Sequence, residues 1–219
     1  MTQLTFHVVG QGEHQASIKH LIIAGWAGRN SEAVEHHIAE LEALGVRRPT
    51  LIPCFYRVSA SLLNTAQSIQ VPGKDSSGET EFVLIPSEEG LLIGLGSDHT
   101  DRKVESYDVT VSKQMCDKPI AQQVWRFAEV EAHWDQLVMR TWRVRDGERA
   151  LYQQGPVTNL LAPQTLLGKL NSAGALPADT AMFCGTQSVI GELGYGEAFE
   201  MELFDPVLNR SLRHQYGVE

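Results

Sequence analysis

The stretch "GETEFVLI", residues 78–85, places Glu79 and Glu81 one residue apart at the head of an apolar run. Strand alternation sends both side chains to one face, where neighbouring like charges repel unless a cation lies between them. Beyond the run, "GLGSDHTDR" (94–102) adds Asp98 and Asp101. Either that face is wet or it holds a metal. Two same-face strand carboxylates with a third from a neighbouring strand make half an octahedron for a hard divalent cation, and Asp98 is the natural third. The competing reading is a solvated strand edge whose charges block aggregation.

Upstream, "SIKHLIIAGWAG" (17–28) reads as a strand ending at Gly25 and Gly28, with Arg29 and Asn30 in the loop after it. "SEAVEHHIAELEALG" (31–45) predicts a helix with Ser31 as N-cap, Glu32 in the first turn and Gly45 as its stop. "RRPTLIPCFYRVS" (47–59) is extended and broken by prolines, and "SEEGLLIGLG" (87–96) predicts a hairpin followed by an apolar strand. Asp146-Gly147 joins two strand-like runs and is the strongest short-range hairpin signal in the chain. "APQTLLGKLNSAG" (162–174) predicts a short amphipathic helix stopped by Gly174, and residues 176–206 read as strand, glycine-punctuated loop and strand. Strands dominate and no βαβ rhythm is visible. The expected class is one β-rich α+β domain over residues 1–219, with a short strand region at 1–20.

The chain has 219 residues, 42% hydrophobic and 21% charged, enough to bury a sizeable core. A formal net charge of −9 argues against nucleic acid or anionic lipid as the main partner, and leaves room for a small anionic substrate in a local basic pocket. Cys54, Cys116 and Cys184 lie far apart without C-x-x-C spacing, which is neither a disulfide framework nor a zinc signature. "LIIAGWAG" is too short to span a membrane, and "MTQLTFHVVG" alternates like a strand rather than a signal peptide, so a cytoplasmic location is expected.

On the 31–45 helix, Val34, Ile38, Leu41 and Leu44 define one apolar face, with His37 on its flank and Glu40 at i+3. Such a pair is a general base with its orienting carboxylate, or a surface ion pair. His99 alternates to the face opposite Asp98 and is set aside. Arg29, Arg57, Arg102 and Lys113 stand near these motifs; arginine clamps a carboxylate, and lysine offers a point charge to an oxyanion. "CGTQSVIG" (184–191) offers backbone N–H donors in a turn at Gly185 and Thr186.

Taken in order, these segments resemble the fumarylacetoacetate hydrolase superfamily in its single-domain form. That family opens its catalytic domain with a "GRN" loop and a helix bearing D-H-x-x-E; here Gly28, Arg29 and Asn30 precede "HHIAE", 36–40. Its "FLKP" is similar to "FYRV" (55–58), its E-x-E strand to Glu79-Thr80-Glu81, and its "NDVSARD" to "SDHTDRK" at Asp98 and Arg102. "AKSF" is similar to "SKQM" at Lys113, and the closing "TGTP" block to Gly185-Thr186-Gln187. The resemblance covers roughly residues 20–219. The departures are a short gap from Glu81 to Asp98, Arg57 in place of lysine, Thr100-Asp101 in place of Ser-Ala, Lys103 in place of the second aspartate, and Gln187 in place of proline.

The resemblance implies a twisted mixed β-sheet roll with a few peripheral helices, and a homodimer. It implies a Mg²⁺ site, with Mn²⁺ or Ca²⁺ also suited, at Glu79, Glu81 and Asp98. The implied activity is hydrolytic C–C cleavage of a small 2-oxo or 1,3-dicarbonyl carboxylic acid through a metal-stabilised enolate, with decarboxylation, hydration or isomerisation as alternatives. His37, Glu40 and Lys113 are then the catalytic residues. Arg29, Arg57, Arg102, Gly185, Thr186 and Gln187 bind substrate. The rival from another class is a non-catalytic metabolite-binding relative.

Overall fold

The apolar run after Glu81 is buried on both faces, and this places it at the centre of the molecule. Phe82 and Leu84 enter one core cluster while Val83 and Ile85 enter another, as expected of an interior strand with no polar side. The "LII" run divides in the same way, Ile22 to the first cluster and Leu21 and Ile23 to the second. The computed structural model describes residues 1–43 and 48–219, with backbone alone at positions 37, 40, 41 and 43.

Two sheets carry the architecture. The larger has eight strands in the order Gly12–Ile18, Thr2–Val8, Gln123–Arg126, Gly90–Ser97, Thr80–Ser87, Thr180–Thr186, His20–Gly25 and Cys54–Val58. Thr2–Val8 runs parallel to Gln123–Arg126 and Thr180–Thr186 parallel to His20–Gly25; the other pairings are antiparallel. Phe6, Val8, Ala16 and Ile18 from one end pack in the same cluster as Leu21, Ile23 and Val58 from the other. One face of the sheet must therefore curl on itself, which makes the expected roll.

The smaller sheet has five strands, Glu148–Pro156, Val138–Arg145, Ala198–Asp205, Arg210–Val218 and Ser68–Ile69. Its Met139, Phe199, Met201, Leu203, Leu212 and Tyr216 close the first cluster over Phe82, Leu84, Ile93 and Leu95. Strands predominate over helices, and the fold is α+β, as the sequence predicts.

Local signals held with small corrections. Asp146 and Gly147 have φ of 53° and 74°, so the two-residue hairpin turn is left-handed at both positions, with Arg145 paired to Glu148. The first helix is Ser31–Ala43. Its cap is Asn30 rather than Ser31: the Asn30 carboxamide oxygen accepts from Glu32 N–H and Ala33 N–H, both at 3.1 Å, which a side chain inside the first turn cannot do. Gly45, the expected stop, lies outside the described residues. The second predicted helix, Pro163–Leu170, ends at Asn171, and Gly174 (φ 61°) sits in the turn beyond. The cysteines are free, and among the described residues no helix is long and apolar enough to cross a membrane.

Gly96 shows how tightly the roll is closed. A Cβ there would lie 2.7 Å from the Phe183 ring and 3.0 Å from the Pro119 carbonyl oxygen, and the backbone contact cannot yield. Gly96→Ala is expected to cost about 1–3 kcal/mol through overpacking, read as a lower urea midpoint with unchanged slope.

Candidate metal centre

Hairpin 80–97 pairs Thr80 with Ser97 and Glu81 with Gly96. The pairing continues one step, because Asp98 N–H donates to the Glu79 carbonyl at 2.9 Å. Glu79 and Asp98 therefore face each other across the open end of the hairpin, and Glu81 follows Glu79 on the same face. Each of the three carboxylates presents an oxygen within 4.8 Å of the others. Asp98 is fully buried, Glu81 is 3% exposed, and Glu79 forms the outer wall.

Three cations converge on this cluster. Lys113 Nζ lies 2.5 Å from Asp98 Oδ2 and 3.3 Å from Glu79 Oε2; Arg102 Nη2 lies 3.1 Å from Glu79 Oε1; Lys118 Nζ lies 3.2 Å from Asp98 Oδ1. Two short helices deliver the first two. Arg102–Glu105 is capped by Asp101, which accepts from Val104 N–H at 2.8 Å, and Val109–Gln114 by Asp108, which accepts from Val111 N–H at 2.9 Å. Burial alone would raise the Glu79 pKa, but Arg102 and Lys113 outweigh it and hold the carboxyl at about 2. Burial likewise opposes the Lys113 charge, and Asp98 and Glu79 overcome it, so the ammonium is held protonated.

The compensation is incomplete on the inner side. Lys118 spends its protons on the carbonyls of Lys113 (2.5 Å), His99 (2.6 Å) and Cys116 (2.9 Å), and Asp98 Oδ1 accepts no hydrogen bond despite being buried. Among the described residues Glu81 makes no ion pair, and Lys113 acts on it more weakly than Asp98 and Glu79 do. One of its oxygens accepts from Gly185 N–H at 2.7 Å, while burial, then Asp98 and Glu79, push its pKa well above the usual carboxylate range. A buried carboxylate oxygen that Lys118 approaches at 3.2 Å without a hydrogen bond, beside a glutamate in no ion pair, is incompletely compensated, and a divalent cation with all-oxygen ligands fits there.

A second network fixes the spacing of the two glutamates. Gln153 is buried. Its Oε1 accepts from Thr80 N–H (3.2 Å) and the Thr141 hydroxyl (2.9 Å), and its Nε2 donates to Thr186 Oγ1 (2.8 Å) and the Gln187 carbonyl (2.6 Å). It thus binds the residue between Glu79 and Glu81 to the turn whose Gly185 N–H orients Glu81. Gly185 has φ 97°, and Thr186 Oγ1 donates to the Thr80 carbonyl at 2.9 Å. On the opposite face His99 sits between Tyr216 Oη (3.0 Å) and Ser76 Oγ (2.9 Å); burial, then Lys118 and Arg102, lower its pKa to about 3.

The structure brings Glu79, Glu81, Asp98, Arg102, Lys113 and Gly185 together. It places Arg29 elsewhere: the guanidinium grips Asp135 at 2.8 and 3.1 Å and donates to the Leu160 carbonyl at 3.0 Å. Arg57 is exposed on the sheet's edge strand opposite Ile22. Gln187 is buried, donating to the Pro156 carbonyl and accepting from Asn159. The side chains of His37 and Glu40 lie outside the described residues. Sequence reasoning missed Lys118 and Gln153, which no periodicity marks. It also missed Tyr56, whose hydroxyl accepts from Trp26 Nε1 at 3.3 Å and whose pKa burial raises to about 12.

The family model described as "Protein of unknown function (DUF2848)" matches residues 24–216. The chain belongs to that family. No curated protein matches the sequence. Among solved structures, the chain is similar to Cg1458 with inhibitor, at 13% identity and TM-score 0.66, covering 95% of this chain and 80% of that one. It is similar to 2-keto-3-deoxy-D-arabinonate dehydratase complexed with magnesium and 2,5-dioxopentanoate, at 11% identity and TM-score 0.64, covering 95% and 76%. It is also similar to 4-oxalocrotonate decarboxylase from Pseudomonas putida G7 complexed with magnesium and adipate, at 10% identity and TM-score 0.57, covering 93% and 78%. These neighbours have the fumarylacetoacetate hydrolase fold, and this chain shares it.

Two outcomes follow from the geometry. Gln153→Leu is expected to weaken Mg²⁺ or Mn²⁺ affinity about 10–100-fold with the far-UV circular dichroism retained, since it frees the support and leaves the ligands in place. The unfolded chain takes up a proton at His99 near its ordinary 6.5 that the fold refuses until about 3. Stability should fall as pH drops below 6.5, by up to about 1.4 kcal/mol per pH unit from this group, and less steeply in His99→Gln by urea titration.

Proposed function

We propose that this chain is a divalent-metal-dependent enzyme acting on a small 2-oxo or 1,3-dicarbonyl carboxylic acid. The observation that carries the reading is the cluster itself: three carboxylates with an oxygen each within 4.8 Å of the others, of which Glu81 makes no ion pair among the described residues. Glu79, Glu81 and Asp98 would hold the ion, Mg²⁺ first, with Mn²⁺ or Ca²⁺ also suited to oxygen ligands. When bound, the ion supplies positive charge that polarises the substrate's oxo oxygens and offsets negative charge as a neighbouring bond breaks.

The chain's own residues do the rest. Lys113, 7% exposed in its side chain and held protonated, presents an ammonium to an oxyanion at the mouth of the cluster. Arg102 keeps Glu79 ionised, and Gly185 N–H orients Glu81. His37, with Glu40 as its orienting carboxylate, is assigned to activate water or move the substrate proton, on the strength of the helix motif. Arg57, exposed and without a carboxylate partner among the described residues, is the better anchor for a substrate carboxylate than Arg29, which Asp135 occupies. The same proposal includes one catalytic domain over 1–219 and a homodimer.

Hydrolysis of a C–C bond is the first reading of the reaction. A lyase is the second, favoured by structural neighbours that are a dehydratase and a decarboxylase. Both use the same cluster and differ in the fate of the electrons released.

Calorimetry of chelator-treated protein should show saturable Mg²⁺ or Mn²⁺ binding that Glu81→Gln weakens at least 100-fold, and turnover of an acylpyruvate and oxaloacetate panel should fall in parallel. Turnover that survives Glu81→Gln unchanged would sink the mechanism. Metal and acid binding without turnover of any panel member would instead identify a metabolite-binding protein.

A further inference from the structure

Beside the carboxylate cluster, the surface forms a pocket of about 420 Å³ whose charge runs against that of the protein. Lys74, Arg102, Lys103 and Arg145 line it against Asp75 and Glu192, a formal excess of two positive charges in a chain of net −9. Arg145 is partly spent on Glu192 at 3.4 Å. The two lysines are not: among the described residues neither pairs with a carboxylate, and Lys74 lies over the Tyr195 ring at 5.2 Å. Unpaired ammonium groups in a concave, partly apolar site raise the local concentration of anions.

Arg102 connects this pocket to the cluster. Arg102 lines the pocket, and its Nη2 is 3.1 Å from Glu79 Oε1. The following residue on the same short helix, Lys103, also lines the pocket and pairs with no carboxylate among the described residues. The Asp101 cap fixes both directions by starting the helix at Arg102. Arg102 is thus shared between the cluster and the pocket that Lys74 and Lys103 line.

We infer that this pocket is a subsite for a second anionic group, so that the chain takes an oxo acid carrying a carboxylate or phosphate at its far end rather than a simple monoacid. The inference rests on the oxo-acid reading above and adds what selects among such acids. Lys74 and Lys103 bind the distal group by charge-assisted hydrogen bonds. Arg102 contributes field and shape while remaining bonded to Glu79, Glu105 and Ser77.

The test is calorimetry of the full chain in saturating Mg²⁺ with three ligands of matched length: 2-oxopentanoate, 2-oxoglutarate and 4-phosphono-2-oxobutanoate. Each is titrated into wild type and into Lys74→Ala/Lys103→Ala, whose exposed sites keep the fold intact. At least tenfold tighter binding of a doubly anionic ligand over 2-oxopentanoate is expected in wild type. In the variant most of that difference should vanish while the 2-oxopentanoate affinity stays within about twofold. Whichever of the two dianions binds more tightly identifies the distal group as carboxylate or phosphate. Equal affinities for all three in wild type, or equal losses for all three in the variant, would overturn the subsite and leave the oxo-acid reading standing. Binding of Mg²⁺ with no binding of any of the three acids would overturn that reading, and the subsite with it.

Discussion

The structure depends on one register: Thr80 opposite Ser97, carried on by the bond from Asp98 N–H to the Glu79 carbonyl. It forces three carboxylates onto one face within 4.8 Å of each other. At an effective dielectric of 20, each pair of unit charges at that distance repels by about 3 kcal/mol. Three such pairs are comparable with the whole stability of a domain, about 5–15 kcal/mol. The segment 99–118 is shaped by that demand: it caps two short helices with aspartates so that Arg102 and Lys113 return to the strand ends, and it buries Lys118 against Asp98.

The cations do not neutralise the cluster evenly. They gather on Glu79 and Asp98, where Lys118 approaches the inner oxygen at 3.2 Å without a hydrogen bond, and among the described residues none pairs with Glu81. A like-charged group lacking a partner in a buried site shifts to its neutral form, which is the direction of the Glu81 shift. The asymmetry turns a structural salt-bridge cluster into a candidate binding centre. It is maintained from behind by neutral groups: Gln153 uses both oxygen lone pairs and both N–H bonds, so neither strand nor turn can slide without stranding a buried polar group.

What was legible in the sequence follows range of interaction. Glu79, Glu81 and Asp98 lie on one hairpin, so alternation alone brings them to one face. Asp146-Gly147 is legible because only certain residues tolerate two positive φ values in succession. Arg29 illustrates the opposite case: its partner Asp135 is 106 residues away, and nothing near "GRN" announces it. Lys118 and Gln153 are ordinary polar residues in sequence, and their roles exist only because remote backbone groups converge on them. The helix cap moved from Ser31 to Asn30 because both residues are good caps and the choice belongs to the backbone path entering the helix.

By itself the sequence determined the β-rich class of fold, from strand patterning along the chain, and the meeting of three carboxylates on one face, from alternation within a strand pair. Tertiary structure alone decided how those carboxylates are charged, which cations reach them, and which basic residues remain unpaired for a ligand. Charge state is set by burial and by groups brought together from Arg102, Lys113, Lys118 and Gly185, and no local pattern encodes the distance between segments that meet only when the sheet curls.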